Sequence, residues 1–244
     1  IVASAPAFNT DLLYSNEASL FFDKNGDEFA RVGAEQRELV YYEDLPEVLV
    51  DAIVATEDSR YFQHNGFDVV RFAKAAFGQV VGQSGAGGAS TLTMQVVKNT
   101  FTSTEASGWD GIIRKFTDIY MSIFLVEKNY TKEEIIEFYV NDPYLGASSY
   151  GVEQASKSYF GKSVRDLTLT EAALLAGVFN APGSYDPYVN PDLATLRRNT
   201  VLNLMVRHGY ISEEEADRLK KQYGLALRSF IDNDTDIMLN TYKG

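Results

Sequence analysis

The chain has no cysteine, so neither a disulfide nor a thiolate metal site can be built from it. That absence fits a bacterial extracytoplasmic protein. Histidine is almost as scarce: His64 and His208 are the whole supply, which argues against His64 as a metal ligand. No apolar run approaches the roughly 18 residues of a membrane-spanning helix, and no signal peptide is visible. Bases are few against acids, 22 to 34, and the net charge of −12 argues against nucleic acid as a partner. What remains is ordinary for a globular protein: 244 residues, 45% hydrophobic and 23% charged. That length buries a sizeable core, as one domain or one domain with a small appendage.

The acidity is uneven. Residues 1–56 balance at −8 and residues 131–244 at −4, whereas residues 57–130 hold seven acids and seven bases. An anionic substrate would meet the least repulsion in that middle segment.

The fold class reads as mainly α. Residues 1–45 are a lead-in with β character, in which Asn25-Gly26 between two short apolar runs signals a hairpin. Leu49, Ala52, Ile53 and Thr56 share one face of a helix running from about Asp44–Pro46 toward Glu57. A second helix is expected over Asp68–Val81. Gly82–Gly88 is a loop, and Ser90–Asn99 restarts a helix with Ser90 as its cap. Thr100–Gly111 is polar and mixed and reads as mobile. Ile112, Phe116, Ile119, Ile123 and Val126 form a helical stripe, with Arg114, Lys115 and Asp118 on the opposite side. Thr131…Glu134, Thr168…Glu171 and Ser212…Glu215 are capping boxes, each opening a helix. Residues 46–224 form the main domain, and 225–244 are a tail without pattern.

Two blocks carry the chemistry. The first is Glu57-Asp58-Ser-Arg-Tyr-Phe62-Gln-His64-Asn-Gly66, an acid pair at the end of an apolar helix. At a helix C-terminus among apolar neighbours, Glu57 meets the negative end of the dipole and loses solvent, a setting that favours taking up a proton. Asp58 and His64 read as supports that hold Glu57 in place. The second block is Gly87-Gly88-Ala-Ser90-Thr91-Leu-Thr93-Met-Gln95, with Lys98 following. Its hydroxyls, amide and ammonium suit sugar hydroxyls or phosphate oxygens, and a capped helix N-terminus is itself an anion site. Arg114 and Lys115 lie within reach of Asp118 on a helix, either as an ordinary surface salt-bridge cluster or as a phosphate-binding pair whose carboxylate orients it or holds a divalent cation. Together the blocks suit a sugar joined to a phosphate.

These residues resemble the motifs of the peptidoglycan glycosyltransferases of glycosyltransferase family 51, found in class A penicillin-binding proteins and as monofunctional enzymes. The family's Glu-Asp-x-x-Phe-x-x-His-x-Gly is similar to Glu57, Asp58, Phe62, His64 and Gly66, with the aromatic shared between Tyr61 and Phe62. Its Gly-x-Ser-Thr-Ile-Thr-Gln-Gln with a following Lys is similar to Gly88, Ser90, Thr91, Leu92, Thr93, Gln95 and Lys98. Arg-Lys-x-x-Glu resembles Arg114, Lys115 and Asp118. The fourth and fifth motifs resemble Lys132–Asn141 and Arg197-Arg198-Asn199 with Val201-Leu202.

The resemblance implies a lysozyme-like helical lobe with a smaller apolar lobe facing the membrane. It implies polymerisation of lipid II into glycan strands, with inversion and loss of the lipid pyrophosphate. Glu57 and Asp118 would be the catalytic residues, and Ser90, Thr91, Gln95, Lys98, Arg114 and Lys115 would bind substrate. A divalent cation, Mg or Mn, would sit at Asp118, with no organic cofactor. Lipid II, the lipid-linked glycan, the membrane surface and other cell-wall synthesis proteins would be its partners. The place would be the outer face of the bacterial cytoplasmic membrane, with the anchor in a segment outside this chain. Val69, Val70, Phe72, Phe77, Val80, Val81, Phe101 and Trp109 are the expected lipid contacts, although Val69, Phe72 and Val80 also fit a buried helix face.

Three departures stand out. Asp118 replaces a glutamate, Met94 replaces a glutamine, and residues 100–113 carry no base. No Ser-x-x-Lys with a Lys-Thr-Gly partner is present, so no penicillin-binding domain is expected here. The competing readings are a lysozyme-like enzyme that cleaves peptidoglycan, which would have no use for the basic cluster, and a weakly active module that binds lipid II or scaffolds other proteins.

Overall fold

A computed structural model of the protein describes residues 5–6, 8–10, 13, 19–22, 28–32, 38–80, 88, 90–102 and 107–221, with main chain only at 19–22, 28–32, 76, 79 and 80. Strands β1 (Ser19–Phe22) and β2 (Glu28–Val32) pair antiparallel, Ser19 opposite Val32, with an irregularity between Phe21 and Phe22. The expected Asn25-Gly26 turn lies outside the described residues, as do Val81 and the tail at 225–244. Helices follow: α1 (Glu47–Glu57), α2 (Val69–Val80), α3 (Leu92–Thr100), α4 (Gly108–Met121), α5 (Lys132–Asn141), α6 (Gly151–Phe160), α7 (Leu169–Val178), α8 (Pro182–Tyr185) and α9 (Pro191–Arg207). The mainly α class is what the sequence called for. A last helix spans 213–221.

The chain forms two units and passes between them three times. The first comprises Ile1–Tyr42 and Arg60–Pro143, the second Glu43–Ser59 and Tyr144–Gly244. The sequence treated 46–224 as one stretch.

In the second unit α7 is the central helix. Thr170 and every residue from Ala172 to Val178 are buried, so α7 is enclosed on all sides, the condition under which a helix can be apolar all round. α1 and α9 both pack on it and on each other. Its start is fixed by Glu171, whose Oε2 accepts from the Thr168 N–H at 2.8 Å and the Thr168 hydroxyl at 2.6 Å. Ser212 caps the 213–221 helix by accepting from the Glu215 N–H at 3.2 Å.

In the first unit α3 packs against α4 and α5. Thr131 and Glu134 form the expected capping box at the start of α5, with bonds of 2.7 and 3.2 Å. At its other end Asn141 clasps Val40, accepting from its N–H at 3.0 Å and donating to its carbonyl at 2.8 Å, while Glu137 accepts from the Tyr42 N–H at 2.7 Å.

Two local expectations are corrected. α3 is capped by Thr91, not Ser90: the Thr91 hydroxyl accepts from the Met94 N–H at 3.2 Å. Part of the stretch expected to be mobile, from Gly108 on, is the first turn of α4. Past Met121 this helix widens into a π turn, Ser122–Val126, closed by the Glu127 N–H donating to the Ser122 carbonyl.

Candidate active site

Glu57 is the last residue of α1, with Asp58 at the C-cap. The apolar body of the helix places it: Leu49, Ala52, Ile53, Val54 and Ala55 are buried in the second unit, so the chain emerges at Glu57 in a fixed direction. Asp58 itself is fully buried. Arg197 of α9 approaches Glu57, Nη2 to Oε1 at 4.0 Å. Two contacts steady that arginine. Its Nε donates to the Gly177 carbonyl at 3.4 Å, and its guanidinium lies 5.6 Å from the Tyr185 ring. Gly177 is glycine because Arg197 runs across it: a Cβ there would lie 2.9 Å from the Arg197 Cγ. The fifth motif pointed to Arg197 without giving it a role. Its neighbour Arg198 is fully buried and ties α9 to the last helix, with Nη2 bonded to Asn199 Oδ1 at 2.5 Å and to the Lys220 carbonyl at 3.3 Å.

In the first unit the rest of the first block is a tight loop. Asp68 closes it: Oδ1 accepts from the Arg71 N–H at 2.9 Å, capping α2, and Oδ2 pairs with Arg60 at 3.4 Å. His64 lies edge-on to Tyr61, ring centroids 6.3 Å apart, and within 4.8 Å of Asp68. Gly66 has φ +80°, and a Cβ there would sit 2.8 Å from the Ser122 carbonyl carbon, so no other residue fits without moving backbone.

The second block packs onto this loop. Thr91 and Thr93 are fully buried, and both hydroxyls are in use: Thr91 donates to the Gly66 carbonyl at 2.7 Å and Thr93 to Glu127 Oε1 at 2.5 Å. Thr91 was expected to contact substrate, and the structure gives its hydroxyl the Met94 N–H and the Gly66 carbonyl as partners. Ser90 and Gln95 are partly exposed, and Lys98 is exposed.

Asp118 lies on the buried side of α4, 5% exposed, contrary to the surface cluster that its spacing also allowed. Thr102, just beyond α3, donates to its Oδ1 at 2.5 Å. Burial pushes the Asp118 carboxyl above the ordinary aspartate range. The Thr102 bond and the charges of Arg114, Lys98 and Lys115 pull the other way. The charges of Lys98 on α3 and of Arg114 and Lys115 on α4 thus all bear on the one carboxylate. Thr102 was not legible as its partner, because nothing in its spacing from Asp118 marks a contact between two helices.

To a divalent cation this set of residues offers one carboxylate, the number that magnesium takes when substrate phosphates and water supply the rest. Among the described residues Asp118 joins no group of three or more carboxylates and imidazoles able to share one, and its charged neighbours are cations. The donor types a metal accepts do meet at His64 and Asp68, although Asp68 is already bonded to Arg60 and to the Arg71 N–H.

The first half of the apolar stripe, Ile112 and Phe116, is turned outward, whereas Ile119 and Ile123 are half-buried and Val126 is fully buried. Trp109 is 80% exposed and Phe116 52%, and Ile112, Ile113 and Phe124 are exposed with them. Of the expected lipid contacts, Val69, Val70, Phe72 and Phe77 are exposed, and Phe101 is partly buried. Val69 and Phe72 therefore do not occupy the buried face that their spacing also fitted. No described helix is long and apolar enough to cross a membrane.

Comparison with known proteins places these residues in a family. The family model described as Transglycosylase matches residues 25–206. Penicillin-binding protein 1A/1B of Bacillus subtilis is 40% identical over 91% of this chain and 24% of its own length. Penicillin-binding protein 1A of Streptococcus oralis is 39% identical over 89% of this chain and 34% of its own. A crystal structure of penicillin-binding protein 1A from Haemophilus influenzae is 27% identical, covering 84% of this chain and 20% of that one, at a TM-score of 0.46. The chain thus spans about a quarter to a third of the length of the curated relatives it matches.

Proposed function

The chain belongs to the transglycosylase family, the peptidoglycan glycosyltransferases, and from that premise we propose that it extends glycan strands from lipid II at a membrane surface. The 4-hydroxyl of an incoming lipid II attacks C1 of the lipid-linked strand. Glu57 takes the proton from that hydroxyl as the C1–O bond forms, and the bond from C1 to the lipid pyrophosphate breaks, with inversion at C1. Arg197 orients the Glu57 carboxylate. Lys98, Arg114 and Lys115 neutralise the departing pyrophosphate, and Asp118 holds that set of cations in register. Ser90 and Gln95 contact the substrate, while Thr91, Asp58 and His64 hold the frame around them.

One observation carries the reading: the buried Asp118 carboxylate feels the charges of three cations from two helices in a chain of net charge −12. An enzyme that cleaves a neutral glycosidic bond has no use for such a set of charges, which disfavours the hydrolase alternative along with the family match. A divalent cation at Asp118 would be held by that carboxylate with pyrophosphate oxygens and water, and would add to the charge stabilisation of the leaving group.

The test is incubation with labelled lipid II, with polymer length read on a gel. The parent should make strands. Glu57→Gln keeps size and hydrogen bonding but cannot take the proton, and its rate should fall about 10²-fold or more. A folded Glu57→Gln protein polymerising at the parent rate removes Glu57 from the mechanism.

A further inference from the structure

Glu127 belongs to none of the motifs, yet its side chain joins three of the segments that carry them. Its side chain is 5% exposed. Oε1 accepts from the Thr93 hydroxyl at 2.5 Å and from the Lys132 ammonium at 2.7 Å. Lys132, first residue of α5, also lies 4.3 Å over the Tyr61 ring, and Tyr61 returns a 2.8 Å bond from its hydroxyl to the Lys132 carbonyl. The Glu127 Cγ would lie 3.1 Å from a Cβ at position 66, so it packs against Gly66. One side chain thus meets three segments: its carboxylate bonds the first turn of α3 and the start of α5, and its Cγ packs on the loop of the first block.

The backbone is bent to bring it there. In an unbroken α-helix the nine residues from Asp118 to Glu127 would make about two and a half turns, putting the two on opposite faces. The π turn holds more residues per turn, so the same nine residues complete less rotation, and both carboxylates end up buried in the first unit. The Ser122 carbonyl that closes this turn is also the group Gly66 packs on. A carboxylate buried this deeply is costly, and an ion pair of this kind adds little net stability over apolar packing. What it provides is a fixed position: the bond to Thr93 sets the rotation of α3, and α3 carries Gln95 and Lys98.

We propose that Glu127 is a positioning residue for pyrophosphate binding, which acts through Thr93 to hold Lys98 and Gln95 of α3 in register with Arg114, Lys115 and Asp118 of α4. The inference rests on the polymerase reading above and adds to it a residue that does not touch substrate.

Thr93→Val removes the hydroxyl at constant shape, Thr93→Ser restores it, and Glu127→Gln removes the charge. Lipid II polymerisation gives KM and kcat, and a polyprenyl pyrophosphate gives an inhibition constant without chemistry. KM and the inhibition constant should each rise about tenfold in Thr93→Val and in Glu127→Gln, the size of one charge-assisted hydrogen bond. kcat should fall as well, because Lys98 meets charge that develops on the departing pyrophosphate. The double variant should be no worse than either single one, and Thr93→Ser should lie near the parent. Hydrogen exchange of the 92–100 amides, which needs no activity, should quicken in Thr93→Val while α5 is unchanged. If Thr93→Val has parental KM, inhibition constant and exchange, the clamp is overturned even though the parent makes strands. If the parent makes no strands, the polymerase reading fails and exchange alone decides whether Glu127 fixes α3. Should Glu127→Gln alone fail to fold, the two Thr93 variants decide between the clamp and its absence.

Discussion

Asp118 is a charge held where charge is disfavoured. Burial raises its pKa above the ordinary 3.8, and Thr102, Arg114, Lys98 and Lys115 only partly oppose that rise. A carboxyl with a raised pKa in the folded state stabilises the fold most below the unfolded value. That contribution is lost as pH climbs through the folded value. At neutral pH the ionised Asp118 therefore works against stability, the mark of a group kept for another purpose. Asp118→Asn should melt at a higher temperature than the parent near neutral pH and at the same temperature well below 3.8. The same variant should polymerise lipid II more slowly, because the cations lose the carboxylate that registers them. Melting curves across pH together with the gel assay check both halves. A variant less stable than the parent at neutral pH would show that the cations outweigh burial.

The capping residues act at the scale of the element. Thr91 both caps α3 and bonds the Gly66 carbonyl, so one hydroxyl starts the helix and fastens it to the loop of the first block. Thr91→Val should cost about 1–2 kcal/mol by denaturant unfolding, and Ser90→Ala only a few tenths. The reverse order would restore Ser90 as the cap. Helix starts were the most legible part of this chain, since Thr131 and Thr168 announce themselves through a glutamate three residues on. α4 shows the limit. Its periodicity separates an apolar side from a polar one, but spacing does not say which side faces in. Here Asp118 is buried against Thr102 together with Thr117 and Met121, while Lys115 and Phe116 are both left outside. The π turn has no sequence signature, so Glu127 could not be placed opposite Thr93. Glu57 and Lys98 were legible because a helix end and a glycine-led helix start are both local signals.

At the scale of the whole molecule, the outward apolar residues of α2 and α4 are where contact with lipid is expected. Phe77 is 69% exposed and Trp109 80%, and both lie in the first unit, which also carries Lys98, Arg114 and Lys115. A lipid-linked substrate brings its pyrophosphate to the level of the headgroups, where cations can meet it only if the surface beside them tolerates lipid. The chain's excess acids lie outside residues 57–130, so the segment with the exposed apolar groups is also the one least repelled by an anionic headgroup layer. Flotation with neutral vesicles separates the apolar contribution from charge. The parent should rise with the lipid, and Phe77→Ser combined with Trp109→Ser should shift most of the protein to the aqueous fraction without a change in melting temperature, since neither side chain is part of a core. A parent that stays wholly in the aqueous fraction would make these residues ordinary surface and leave membrane attachment to other parts of the protein.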